Sequence, residues 1–297
     1  MFGLFRREKE ELIFWEPPKG EEIKGELFIT EIPAEKNDQI PLVLFHATPL
    51  DHKYLKNTIL ESGINLNRPL IFVDLPGHGQ SCDIPKESNL KDLENFVLKQ
   101  LKEKGISIDR YFVYGHGVFG GMIAQMVFAK DNNCIGGIFS NTSPDPIYRK
   151  IMAWNIREKF SKTLKYAFQQ YEGKTDEKSM RVKFTMSLAA YFPKMNHEKA
   201  KELLDNSYRI GIEGYKTFAV NMLPFFDTKD ALIKKKAPSL IIISNKDVLP
   251  RERQLVLLNA LNQGELVELK ENGHFPMIED PVGYWKIVKK WLDKQKP

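Results

Sequence analysis

The sequence predicts an α/β fold, in which a mostly parallel central sheet is flanked by helices and interrupted by one all-helical insertion. Three observations predict it: short apolar runs alternate with amphipathic stretches, Pro, Gly and Asp bound the runs, and one long aromatic-rich segment carries no strand signal. Five runs stand in the first half, "ELFITEI" (26–32), "IPLVLFH" (40–46), "PLIFVD" (69–74), "RYFVYG" (110–115) and "CIGGIFSN" (134–141). Two follow later, "PSLIIISN" (238–245) and "ELVELK" (265–270). Runs of Ile, Val, Leu and Phe of this length read as strands buried on both faces. Helical patterns at 90–105, 120–130, 252–264 and 283–295 lie between them. Strand and helix in alternation imply βαβ units and a parallel sheet.

Residues 145–226 break the rhythm with long helical, aromatic-rich stretches. The expected organisation is therefore a core of residues 1–144 and 227–297, with 145–226 as a helical cap over the carboxyl ends of the strands. A chain of 297 residues, 42% hydrophobic and 28% charged, can bury a core of that size. Its net charge of +5 is spread among mixed charges, and the basic runs Arg6–Arg7 and Lys234–Lys236 are short and lack interleaved aromatics. A nucleic-acid partner would need a basic stripe with stacking residues, so none is expected. Cys82 and Cys134 form neither a disulfide framework nor a metal-ligand spacing, and no metal or cofactor is expected. The first 15 residues are too weakly apolar for a signal peptide and read as a terminus packing Phe2, Leu4 and Phe5 on the body. No run reaches the length of a membrane span. A cytoplasmic protein acting on a small molecule is the expectation, as monomer or homodimer.

The stretch "YFVYGHGVFGGMIAQ" (111–125) admits two readings. Gly115, Gly117 and Gly120 spell the G-x-G-x-x-G of a dinucleotide-binding loop. That loop belongs in the first βα unit, with an acid ending the next strand. Here several strands precede it, and the next strand ends at Ser140–Asn141. The alternative is a nucleophile elbow, a strained strand-to-helix turn whose neighbours must be small. With Gly117 at the nucleophile position, Gly115 and Gly120 are suitably small, but Phe119 is a misfit. One residue later the strained position would fall on Val118, and a β-branched residue is the worst choice there.

Further segments in chain order make the elbow specific. "LFHATPLDH" (44–52), "VDLPGHGQS" (73–81), "YGHGVFGGMIAQ" (114–125), "LIIISNKDVLP" (240–250) and "KENGHFPMIEDP" (270–281) together resemble the α/β-hydrolase family with a helical cap. The resemblance covers nearly the whole chain. It implies the α/β-hydrolase fold, with Gly117 at the nucleophile, Asp247 at the acid and His274 at the base. It also implies an oxyanion hole from the backbone around Ala47, Thr48 and Val118. Substrate-pocket positions fall on His46, His116, Trp154, Tyr191, Phe218 and Met222. His46 also suits a buried structural histidine, His78 a turn stabiliser, and Asp247 a turn residue in its own right.

The departure is the nucleophile. A serine hydroxyl attacks once a histidine takes its proton, and that histidine needs a carboxylate to fix its tautomer. Gly117 has no hydroxyl, through natural loss or a serine-to-glycine replacement. The reading that follows is a hydrolase of small to medium, largely apolar esters or amides whose nucleophile is missing. The alternatives are a His/Asp-dyad enzyme of lyase or cofactor-free oxygenase type, or an inactive ligand-binding protein. "AAYFP" (189–193) faintly resembles proline iminopeptidases, but "HATP" departs from the "HGGPG" that family carries.

Overall fold

The computed structural model describes residues 18–34, 39–106, 109–145 and 176–295. The amino-terminal Phe2, Leu4 and Phe5, and Trp154 with much of the expected cap, lie outside the described residues.

Each apolar run becomes a strand: β1 Ile29–Ile32, β2 Leu42–Phe45, β3 Leu70–Val73, β4 Tyr111–His116, β5 Cys134–Ser140, β6 Pro238–Ser244 and β7 Gln263–Leu269. They form one sheet in the order β1-β3-β2-β4-β5-β6-β7. β1 runs antiparallel to β3, and every other pairing is parallel. Side chains alternate across a strand. Leu42, Leu44, Leu70, Phe72, Phe112 and Tyr114 therefore enter one core, and Val43, Phe45, Ile71, Val73, Tyr111 and Val113 the other. Burial on both faces holds for the inner strands. The edge strand β7 has no fully buried residue, because it is paired on one side only.

Helices cover both faces. α1 Lys53–Ser62 lies on the first core; α2 Leu90–Glu103 and α3 Gly117–Lys130 pack on the second. α2 begins with a capping box in which Asn89 accepts from Asp92 N while Asp92 accepts from Asn89 N. Between β5 and β6 the described residues hold helices and no strand: α4 Glu177–Ala189, α5 His197–Asn206 and α6 Ile212–Thr217. A π-helical turn at Phe218–Met222 and a 3₁₀ turn at Leu223–Phe225 follow, then α7 Lys229–Lys234. α8 Arg251–Ala260, α9 Pro276–Glu279 and α10 Pro281–Lys294 complete the chain. The helical pattern at 252–264 overran its element: α8 stops at Ala260, and Gln263 already belongs to β7.

Parallel pairing sets the carboxyl ends of β2, β4, β5, β6 and β7 along one edge, where the loops that follow them meet. At the centre β4 turns directly into α3, and Gly120 lies in the first turn of that helix. A Cβ there would lie 2.2 Å from the His46 carbonyl oxygen, so the helix can approach β2 this closely only without a side chain. Gly120→Ala must displace backbone and is expected to cost about 3 kcal/mol of stability. A lowered urea midpoint at unchanged slope would check it.

Candidate active site

The corner is built on Gly117. Its φ of +67° lies in the left-handed region that a glycine enters without penalty. A Cβ on Gly117 would sit 2.9 Å from Ala47 Cβ and 3.1 Å from His274 Nε2. The imidazole of His274 thus faces residue 117 at close range. On its other side, Nδ1 donates to Asp247 Oδ1 at 2.8 Å. The histidine is 2% exposed, and the Asp247 side chain is fully buried. Gly117, Asp247 and His274, distant in sequence, are brought together.

The carboxylate is oriented by its own loop. Leu249 N donates to Asp247 Oδ1 at 3.0 Å, so the aspartate is a turn residue as well as the partner of His274. Gln254 Nε2 approaches Oδ2 at 3.4 Å and donates to Leu249 O at 2.9 Å. The histidine loop is held by its backbone. Asn141 Nδ2 donates to the carbonyls of Gly273 and His274 at 3.1 and 3.0 Å, and His274 N donates to Tyr191 O at 2.8 Å. Glu279 accepts from Gly273 N, and burial raises its carboxyl above the ordinary value. The sequence reading missed Asn141, Gln254 and Glu279; only Asn141 carried a local signal, an asparagine at a strand end where a left-handed φ of 49° occurs.

The expected oxyanion residues divide. Ala47 N donates to Tyr54 Oη at 2.9 Å, which removes it as a free donor. This corrects the expectation for Ala47, whose amide is spent within the fold. Thr48 and Val118 are half-buried beside their buried neighbours Ala47 and Gly117. The Thr48 hydroxyl is held by His78 Nε2 at 2.7 Å. With no side chain at 117, an imidazole facing the corner can take a proton, but no acyl intermediate can form at 117.

Two expected pocket residues lie behind the site. His46 is fully buried, its Nε2 accepting from Leu75 N at 2.9 Å and its Nδ1 lying 3.2 Å from Ala47 O. His116 is likewise buried, with both ring nitrogens engaged by Tyr54 and the His274 carbonyl. Neither has a ring nitrogen left for a ligand, which corrects both expectations. Tyr191 sits edge-on to His274 with ring centroids 4.9 Å apart. Phe218 stacks on Phe119 at 3.9 Å, and Met222 is buried in the same core. The stack explains Phe119, the misfit of the elbow: an aromatic ring from the helical insertion covers it.

Asp51, His52 and Asp74 bring possible metal-ligand atoms within 4.8 Å of one another. Their carboxylate oxygens already accept backbone N–H groups, Asp51 from Lys53 and Tyr208, Asp74 from His52 and Gln80. The cluster ties the turns after β2 and β3 together. Among the described residues no helix is long and apolar enough to cross a membrane.

Sheet order, corner and His–Asp pair define a class of protein. The family model for the alpha/beta hydrolase fold matches residues 40–281, and the chain belongs to that family. No curated protein matches the chain in sequence. Among solved structures it is similar to an esterase from Thermogutta terrifontis, at 20% identity and TM-score 0.63, covering 90% of this chain and 93% of that one. It is similar to a proline iminopeptidase from Mycobacterium smegmatis at 16% identity and TM-score 0.68, covering 90% and 94%. An enol-lactonase from Burkholderia xenovorans gives 15% identity and TM-score 0.63, covering 90% and 96%. At these identities the likeness is one of fold.

The buried histidines make the site acid-sensitive. Burial, chiefly, pushes His78 from its ordinary 6.5 down to about 3, and burial likewise lowers His46 and His116. Below pH 6.5 the unfolded chain binds protons that the folded chain refuses, so these residues stabilise the fold fully above that pH and progressively less as pH falls toward 3. The urea midpoint should drop between pH 7 and pH 5, and His78→Asn should flatten that slope.

Proposed function

We propose that the protein is a hydrolase of small to medium, largely apolar esters or amides in which His274 activates water directly. The observation that carries this is the assembled dyad: Asp247 on Nδ1 at 2.8 Å, and Nε2 facing a residue 117 that has no side chain. Asp247 fixes the tautomer that leaves Nε2 free to accept a proton, and Nε2 has no hydrogen-bond partner among the described residues.

The chemistry follows from that geometry. A substrate carbonyl lies at the corner with its oxygen toward the N–H groups of Thr48 and Val118. A water molecule at residue 117 gives a proton to His274 Nε2 while its oxygen bonds to the carbonyl carbon, and the C=O pair becomes an oxyanion held by the two amides. On collapse the bond to the leaving group breaks, and that group takes the proton back from Nε2. Acid and alcohol, or acid and amine, are released, and Asp247 offsets the transient charge on the imidazolium. The described part, 176–226, of the expected cap 145–226 would supply the pocket roof through Tyr191, Phe218 and Met222, and aromatic cover of this kind suits an apolar substrate. The esterase and lactonase activities named for two of the similar structures accord with this class.

Short-chain aryl esters provide the test. The unaltered protein should turn them over slowly, and His274→Ala should abolish the activity. Gly117→Ser should raise the rate about 100-fold or more and confer labelling by a fluorophosphonate, once the imidazole yields the few tenths of an ångström that a Cβ requires. No turnover by the unaltered protein, together with ligand-induced thermal stabilisation, would favour the second reading, a binding protein. The near-complete burial of His274 is the observation on that side. No gain in a folded Gly117→Ser would remove the elbow assignment itself.

A further inference from the structure

We propose that Tyr54 and His116 are positioning residues: they form one ordered hydrogen-bond chain from the loop after β2 to the loop of His274 and hold the base by its backbone carbonyl. The inference rests on the proposed role of His274 as base.

Three bonds make up the chain. Ala47 N lies 2.9 Å from Tyr54 Oη, Tyr54 Oη 2.7 Å from His116 Nδ1, and His116 Nε2 2.7 Å from His274 O. Their direction is forced by the groups at each end. An amide N–H can only donate, so Tyr54 accepts from Ala47. A carbonyl can only accept, so His116 Nε2 carries a proton and donates to His274. The Tyr54 hydroxyl has one proton left, and an unprotonated His116 Nδ1 accepts it. Every donor and acceptor is satisfied with His116 neutral, and burial, followed by the proximity of His274, holds that ring well below its ordinary range.

The chain spans the elbow. Tyr54 is on α1, His116 is the last residue of β4 and directly precedes Gly117, and His274 closes the base loop. Tyr54 and His116 are 5% and 0% exposed, so water does not compete for these bonds. Phe275 lies edge-on to both rings, at 6.0 and 5.2 Å between centroids, and fixes their planes. The chain ends on a carbonyl and not on the imidazole, so it moves no proton to or from the base. Its effect is mechanical: it fixes where the His274 backbone sits relative to residue 117, and with it the aim of Nε2. It also commits the Ala47 amide, leaving oxyanion contacts to Thr48 and Val118.

The test reads the base directly. In the full-length protein the His274 Nδ1 proton, bonded to Asp247, should give a resolved downfield ¹H NMR resonance. Tyr54→Phe and His116→Phe should shift or broaden it and alter its pH titration. His116→Gln, which keeps an N–H donor for the His274 carbonyl, should restore it. With aryl esters, kcat should fall about tenfold in Tyr54→Phe at nearly unchanged KM, because small misplacements of a catalytic group act on the chemical step. An unchanged resonance and titration in folded Tyr54→Phe or His116→Phe would overturn the positioning role whatever the activity. Absence of any turnover in the unaltered protein would overturn the proposed function and leave the resonance to decide this inference separately.

Discussion

The corner where β4 becomes α3 is the constraint on which the rest of the structure depends. α3 starts without a connecting loop, so Gly117 must take a positive φ, and Gly120 must run against the carbonyls at the end of β2. No side chain can be inserted at either place without moving backbone or the base. Parallel pairing then brings the loops after β2, β5, β6 and β7 to the same edge of the sheet. Asn141 from the β5 loop and Asp247 from the β6 loop reach the His274 loop there because β5, β6 and β7 are paired in parallel as neighbours.

Near the corner, burial and hydrogen bonding single out one imidazole. His46 accepts on Nε2 and meets a carbonyl on Nδ1; His78 accepts from Thr48 and meets the Pro76 carbonyl; His116 lies between Tyr54 and the His274 carbonyl. Each is neutral because burial penalises its charged form. His274 alone of these four donates to a carboxylate and turns its second nitrogen toward the corner. Of the four, it is the one whose hydrogen bonding suits a proton acceptor facing residue 117.

Much of this was legible in the sequence. All seven strands announced themselves as apolar runs, and the three residues that meet at the corner, Gly117, Asp247 and His274, lay in motifs that each carry local turn chemistry. α1 did not. It starts at His52 without a side-chain cap and has no acid in its first turn, so the usual start signals are absent, although Gly63 ends it in a left-handed cap. Tyr54 was invisible for that reason and for another: its partners lie 7 and 62 residues away, and nothing local encodes such contacts. The error at Ala47 has the same origin, since competition for a backbone N–H is settled by tertiary structure. Phe119 contradicted the small-residue rule of the elbow until Phe218 of the inserted helices was placed over it.

The way residue 274 is held bears on why a histidine stands there. Its carbonyl accepts from Asn141 and His116, and its N–H donates to Tyr191. These three bonds use backbone atoms and would serve any residue at that position. Asp247, for its part, closes its own turn through Leu249 N and would do so without a histidine nearby. The fold therefore anchors both residues by means that do not require the imidazole. Among the described residues the ring makes a single hydrogen bond, to Asp247, and burying a polar group for so little return is unfavourable unless its remaining nitrogen has a use. That nitrogen points at residue 117. A chain that had kept only the architecture of the site could have placed an apolar side chain there; the retained dyad accords with the proposed chemistry, in which Nε2 takes a proton from water where a hydroxyl is missing.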